Sequence, residues 1–129
     1  MDKIIAQARE QGYVTTMFKR RRYLPEIHSS NHNTRSFAER MALNTPIQGS
    51  AADILKMAML KIAKIIGEGG FNAAMLLQIH DELLFEIAET ELDFFAPMVK
   101  REMEQAFELS VPLQVDLKQG TNWEELKEL

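Results

Sequence analysis

Apolar residues recur along this chain at two spacings, and the changes of spacing mark its elements. Ile4, Ile5 and Ala8 share one side of a predicted helix over residues 1–11, which Gly12 stops. Residues 13–18 are β-branched and aromatic, the pattern of a strand. A cationic corner follows at residues 19–22, and residues 22–24 return as a second short strand before Pro25. The run Ser29-Ser30-Asn31-His32-Asn33 reads as a loop. A long helix is predicted over residues 34–66, with Thr34 at its cap. Ala51, Leu55, Ala58, Ile62 and Ile65 form an apolar seam along its second half. Pro46 removes a backbone donor and crowds the carbonyl four residues earlier, so a bend is expected near residues 44–46. Gly67, Gly69 and Gly70 end the helix.

The period then drops to two. Met75, Leu77 and Ile79 alternate on one arm and Leu83, Phe85 and Ile87 on the next, so residues 71–88 read as a hairpin. Leu92, Phe95, Val99, Met103 and Phe107 restore helical spacing over residues 89–109, where Pro97 marks a bend or a late start. Residues 111–117 read as a third strand and residues 123–129 as a short terminal helix. The expected class is α+β: a small antiparallel sheet, with a hairpin, packed against long helices.

With 129 residues, 46% of them hydrophobic, the chain is long enough for about one domain with a real core. No apolar run approaches the roughly 20 residues of a membrane span, and the first ten residues lack a signal-peptide core. The absence of cysteine excludes disulfides, thiolate metal sites and a cysteine nucleophile, and fits a reducing cytosol. The net charge of −4 conceals an asymmetry: residues 1–40 sum to +4 and the remainder to −8. A basic segment joined to an acidic body suits a polyanion partner, although on charge alone both read first as solvated surface.

Three polar constellations carry chemistry. The first is the His80-Asp81-Glu82 tip between two apolar arms. Asp-Glu is poor chemistry for a tight hairpin turn, which wants positive φ, and locally inconsistent choices concentrate at functional sites. Adjacent carboxylates repel, and a divalent cation offsets that; Mg²⁺ needs few protein ligands when phosphates and water supply the rest. The same tip also reads as two solvated acids beside a structural histidine. The second is Arg40, Asn44 and Gln48, spaced four apart and so on one helical face. Donors on one stripe match the acceptors that recur along a minor groove, or are merely a solvated face. The third is Lys19-Arg20-Arg21-Arg22-Tyr23, which suits phosphate contacts and stacking.

Together these residues resemble the carboxy-terminal part of the bacterial polymerase I family, the family A DNA polymerases. The resemblance begins at Gln11-Gly12-Tyr13-Val14-Thr15-Thr16 and continues through Arg20-Arg21-Arg22-Tyr23-Leu24-Pro25 and Arg35-Ser36-Phe37-Ala38-Glu39-Arg40. Asn44-Thr45-Pro46-Ile47-Gln48-Gly49-Ser50-Ala51-Ala52-Asp53 and Gln78-Ile79-His80-Asp81-Glu82-Leu83 complete it in the same order. It implies that residues 1–38 end the fingers subdomain (helix, basic β-hairpin, loop) and that residues 39–129 are the carboxy-terminal part of the palm. It further implies that Asp81 binds catalytic Mg²⁺, that Glu82 supports it and that His80 lies near the primer terminus. Arg40, Asn44, Gln48, Arg20, Arg21 and Arg22 are implied DNA contacts. Primer–template DNA and dNTP are the implied partners, and the bacterial cytoplasm, with the nucleoid, is the implied location. The Asp-Tyr-Ser motif that carries the family's other metal-binding aspartate is absent here, as is the nucleotide-binding fingers helix. The expectation is therefore a polymerase fragment that is inactive alone and prone to self-association, or else a non-catalytic primer–template-binding module.

Overall fold

The structure is a computed structural model and describes residues 2–129. Met1, the first residue of the predicted first helix, lies outside the described residues. Helix α1 (Asp2–Gln11) leads through Gly12, at φ +80°, into strand β1 (Tyr13–Thr15). Strand β2 (Arg21–Tyr23) pairs antiparallel with β1, Tyr13 facing Tyr23. A 3₁₀ turn at Pro25–His28 precedes the long helix α2 (His32–Gly67). Strands β3 (Ala73–Ile79) and β4 (Glu82–Ile87) form the central hairpin, followed by a 3₁₀ turn (Glu89–Glu91) and helix α3 (Leu92–Glu104). Strands β5 (Lys118–Gln119) and β6 (Lys127–Glu128) flank a 3₁₀ turn at Trp123–Glu125. The described strands form three two-stranded antiparallel sheets, so the α+β class holds, although the strands do not join one sheet.

The chain divides into two compact units, one ending at Asp53 and the other starting at Ile54. In the first, Ala8, Val14, Leu24, Ile27, Ala38 and Ala42 form the core. In the second, Ile62 from α2 packs with Phe95, Met98 and Val99 from α3. Phe95 sits edge-on to both Phe71 and Phe85, at ring separations of 5.2 and 5.3 Å. Such aromatic contacts add about 0.5–1.5 kcal/mol beyond area burial.

Several expectations needed correction. Helix α2 begins at His32, because Asn31 Oδ1 accepts from the backbone N–H of Asn33 and Thr34 and so caps it in place of Thr34. The helix continues through Pro46 to Gly67. Along its second half the buried apolar positions are Ile54, Ala58 and Ile62, while Ala51, of the predicted seam, is exposed. Helix α3 stops at Glu104, leaving Phe107 outside, and the carbonyl of Ala106 accepts from Lys61 Nζ at 3.0 Å instead of continuing the helix. Residues 111–117 form no strand; the Val115 N–H donates to the Glu104 carboxylate at 3.0 Å. The predicted terminal helix shrinks to one 3₁₀ turn, capped by Asn122 and followed by β6. So short an isolated helix is marginal, and ladder pairing with β5 wins.

Candidate functional site

The tip of the β3–β4 hairpin is set by its register. Ile79 pairs with Glu82, which leaves His80 and Asp81 as the two turn residues and makes Glu82 the first residue of β4. The turn is thus His-Asp, one position earlier than Asp-Glu. His80 takes φ +53° and Asp81 does not share it, so neither carboxylate sits in the left-handed region. Histidine tolerates that region better than most residues, and Gln78 Nε2 donates to the His80 carbonyl at 3.3 Å across the turn. His80, Asp81 and Glu82 are all exposed.

A bulge separates Met75 from Leu77: Met75 pairs with Phe85, but Leu77 pairs with Leu84. One extra residue reverses the parity of everything beyond it. Met75 and Ala73 therefore pack on the core with Phe85 and Ile87, whereas Leu77 leaves that face and is 47% exposed. The simple alternation expected across 75, 77 and 79 fails for this reason. The bulge lies just before the tip, where such irregularities re-aim side chains.

Arg40, Asn44 and Gln48 project from α2 in the first unit and are exposed, as their spacing predicts. The Arg40 guanidinium lies 6.0 Å from the ring of Phe37. The three arginines of the basic hairpin have three different surroundings. Arg20 Nε pairs with Asp53 Oδ1 at 2.8 Å, and its guanidinium also donates to the Gly49 carbonyl at 3.3 Å. Arg21 lies 4.5 Å over the ring of Tyr13, whose edge meets Tyr23. A hydrogen bond to Tyr23, with the nearby Tyr13 and Tyr23 hydroxyls, raises the Arg21 pKa, so its charge is constant near neutrality. Arg22 is exposed.

The basic hairpin and the helical ladder belong to the first unit and the His80-Asp81-Glu82 tip to the second. Sequence reasoning anticipated a close backbone approach at Gly49, where a Cβ would meet Thr16 Cγ2 at 2.7 Å, but gave no role to Asp53, the ion-pair partner of Arg20. An aspartate one turn beyond a glycine, on a helix otherwise facing an apolar core, was the available signal. Among the described residues, no group of three or more His, Cys, Asp or Glu is arranged to hold a metal ion, and no helix is long and apolar enough to cross a membrane.

The sequence profile of DNA polymerase family A matches residues 1–125. The chain is 53% identical over 127 residues to DNA polymerase I of Streptococcus pneumoniae serotype 4, covering 98% of this chain and 14% of that protein. It is 50% identical over 127 residues to DNA polymerase I of Bacillus subtilis, with the same shares of 98% and 14%. Among solved structures it matches the POL domain of Pol1 from M. smegmatis, in complex with DNA primer-template and dNTP. There the TM-score is 0.81 and the identity 50%, over 88% of this chain and 20% of that one. The chain thus spans 14% of the length of these curated relatives.

Proposed function

The chain belongs to DNA polymerase family A, and on that premise we propose that it supplies part of the palm and the end of the fingers of a DNA-directed DNA polymerase. The observation that carries this is the exposed His80-Asp81-Glu82 turn, held at a hairpin tip by the Ile79–Glu82 pair. In the intact enzyme the activity is template-directed transfer of a nucleotide from dNTP to a primer 3′-hydroxyl. Residues 1–38 serve as the end of the fingers and residues 39–129 as palm, a functional division distinct from the compact one at Asp53.

The exposed carboxylates of Asp81 and Glu82 are hard oxygen donors of the kind Mg²⁺ takes. Without a third acidic or histidine partner they fit a share of a metal site, the remainder coming from phosphates, water and the rest of the enzyme. Asp81 would hold the ion, with Glu82 beside it and His80 near the primer terminus. When bound, Mg²⁺ stabilises charge on the transferring phosphoryl group. Arg40, Asn44 and Gln48 present donors to the minor-groove side of the primer–template, and Arg21 and Arg22 face phosphates. The chain alone does not extend DNA, because one carboxylate-bearing turn is not a two-metal clamp. The exposed Leu76, Leu77 and Phe94 favour self-association of the isolated chain. The bacterial cytoplasm, at the nucleoid, is where this activity belongs.

A second reading, a primer–template-binding module without catalysis, is favoured by one observation: the ladder and the basic hairpin share a compact unit that lacks Asp81. Fluorescence anisotropy on a recessed-end primer–template tests both, comparing the chain with an Arg40/Asn44/Gln48 triple-alanine variant with and without Mg²⁺. Salt-sensitive binding that the triple variant loses is expected. Equal binding by the variant would return the ladder to ordinary surface. Extension of the primer by the chain alone would refute the division of labour.

A further inference from the structure

We propose that Arg20 is a positioning residue: with Asp53 and Gly49 it braces the basic hairpin against α2 beside Gln48, and it is not itself a phosphate contact. The proposal rests on reading Arg40, Asn44 and Gln48 as duplex contacts. It reassigns one of the three hairpin arginines.

Three ties hold the loop between β1 and β2 on the helical turn that follows Pro46. The first is ionic. Arg20 Nε meets Asp53 Oδ1 at 2.8 Å, and the Asp53 side chain is only 14% exposed. The other carboxylate oxygen, Oδ2, is buried with no hydrogen-bond partner, so Asp53 depends on Arg20 for its compensation. Drawing Arg20 away to a phosphate would strand a largely buried carboxylate, a costly state. The second tie is the Met17 N–H, which donates to Ser50 Oγ at 2.9 Å, while the Ser50 hydroxyl donates to the Pro46 carbonyl. The third is steric. A Cβ at position 49 would lie 2.7 Å from Thr16 Cγ2, so only glycine admits the loop at this distance.

The location of these ties is what gives them a purpose. Pro46 lacks an N–H, so α2 loses one of its i→i−4 hydrogen bonds there. Gln48 lies within the braced turn and Asn44 two residues before the proline. Contacts from outside the helix hold its backbone at the point where its own ladder is interrupted, and two groups of the stripe sit at that point. Orienting such groups in advance removes an ordering cost from DNA binding.

The two roles of Arg20 predict opposite signs. A phosphate-contacting Arg20 would be released by Asp53→Asn, which also removes a negative charge, so primer–template affinity would rise. A brace predicts a fall. Arg20→Gln would lower the slope of log K against log salt by about 0.9 if a phosphate contact were lost, and would leave the slope unchanged if the residue only positions others. The experiment titrates a labelled recessed-end primer–template with the full chain across a salt series, using Arg20→Gln, Asp53→Asn and the double variant. The expected result is an affinity loss of about fivefold in each single variant at constant slope, with the double variant no worse than either. Tighter binding by Asp53→Asn, or a reduced slope in Arg20→Gln, overturns the proposal. Amide hydrogen exchange over residues 44–50 of the free chain reads the brace independently of DNA. Faster exchange in both single variants supports it, and unchanged exchange refutes it. Failure of the unaltered chain to bind primer–template would count against the interface reading of the preceding section, while the exchange data would still decide the brace.

Discussion

Replacing Gly49 with alanine sets two effects of opposite sign against each other. Gly49 is interior to α2, where alanine is favoured over glycine by about 1 kcal/mol. Helix propensity alone therefore predicts a more stable protein. The new Cβ, however, would stand 2.7 Å from Thr16 Cγ2, about 1 Å inside ordinary carbon–carbon contact. Thr16 is buried, and its Oγ1 accepts from the N–H groups of Phe18 and Arg20 at 3.2 and 3.3 Å, so rotating it away would strip two hydrogen bonds. The loop must move instead. A shift of about 1 Å takes the 2.8 Å Arg20–Asp53 and 2.9 Å Met17–Ser50 contacts beyond hydrogen-bond range. Overpacking of this kind costs about 1–3 kcal/mol, so after the propensity gain we expect Gly49→Ala to be destabilised by up to about 2 kcal/mol net. Thr16→Ser keeps the accepting oxygen and deletes only the offending methyl. Alone it should cost about 1 kcal/mol for the lost methyl, but in Gly49→Ala the new Cβ refills that space. The double variant should therefore match or exceed the unaltered chain. Urea denaturation followed by far-UV circular dichroism, extrapolated linearly, reads all four proteins. A Gly49→Ala chain more stable than the original, or a double variant no more stable than Gly49→Ala, would refute the close-approach argument.

Asp81→Ala, placed in an intact polymerase carrying these residues, should abolish primer extension while leaving primer–template affinity and stability unchanged, since Asp81 is exposed. A near-normal kcat in single-turnover extension would remove Asp81 from the metal site. Lys19 sits at φ +65° in the hairpin loop, a conformation that strains an L-residue by about 1–2 kcal/mol. After the greater unfolded-state entropy of glycine is subtracted, Lys19→Gly should stabilise the chain by about 0.5 kcal/mol, read as a higher urea midpoint. A lower midpoint would mean that Lys19 makes a compensating contact.

The sequence alone determined the local elements wherever periodicity and punctuation agreed. Gly12, the glycines after Ile66 and the alternation over 83–87 fixed where helices stop and where the central hairpin lies, because these signals are properties of neighbouring residues. The motif residues were equally legible: the four-residue spacing of Arg40, Asn44 and Gln48 required only that the segment be helical. Family membership came from the order of motifs, and the comparisons agree with it. Tertiary structure decided whatever depended on a partner distant in the chain. Residues 111–117 have strand composition but no ladder, because Glu104 takes the Val115 N–H. The bulge at Met75/Leu77 turned Leu77 off the core face, a parity change invisible in a pattern that alternates on both arms. Arg20, Arg21 and Arg22 read as one cationic run, yet Arg20 is bound to Asp53, thirty-three positions away, and Arg21 lies over Tyr13 across its own hairpin. Charge is written in composition, but whether it is free to meet a ligand depends on which opposite charge the fold brings within about 3 Å of it.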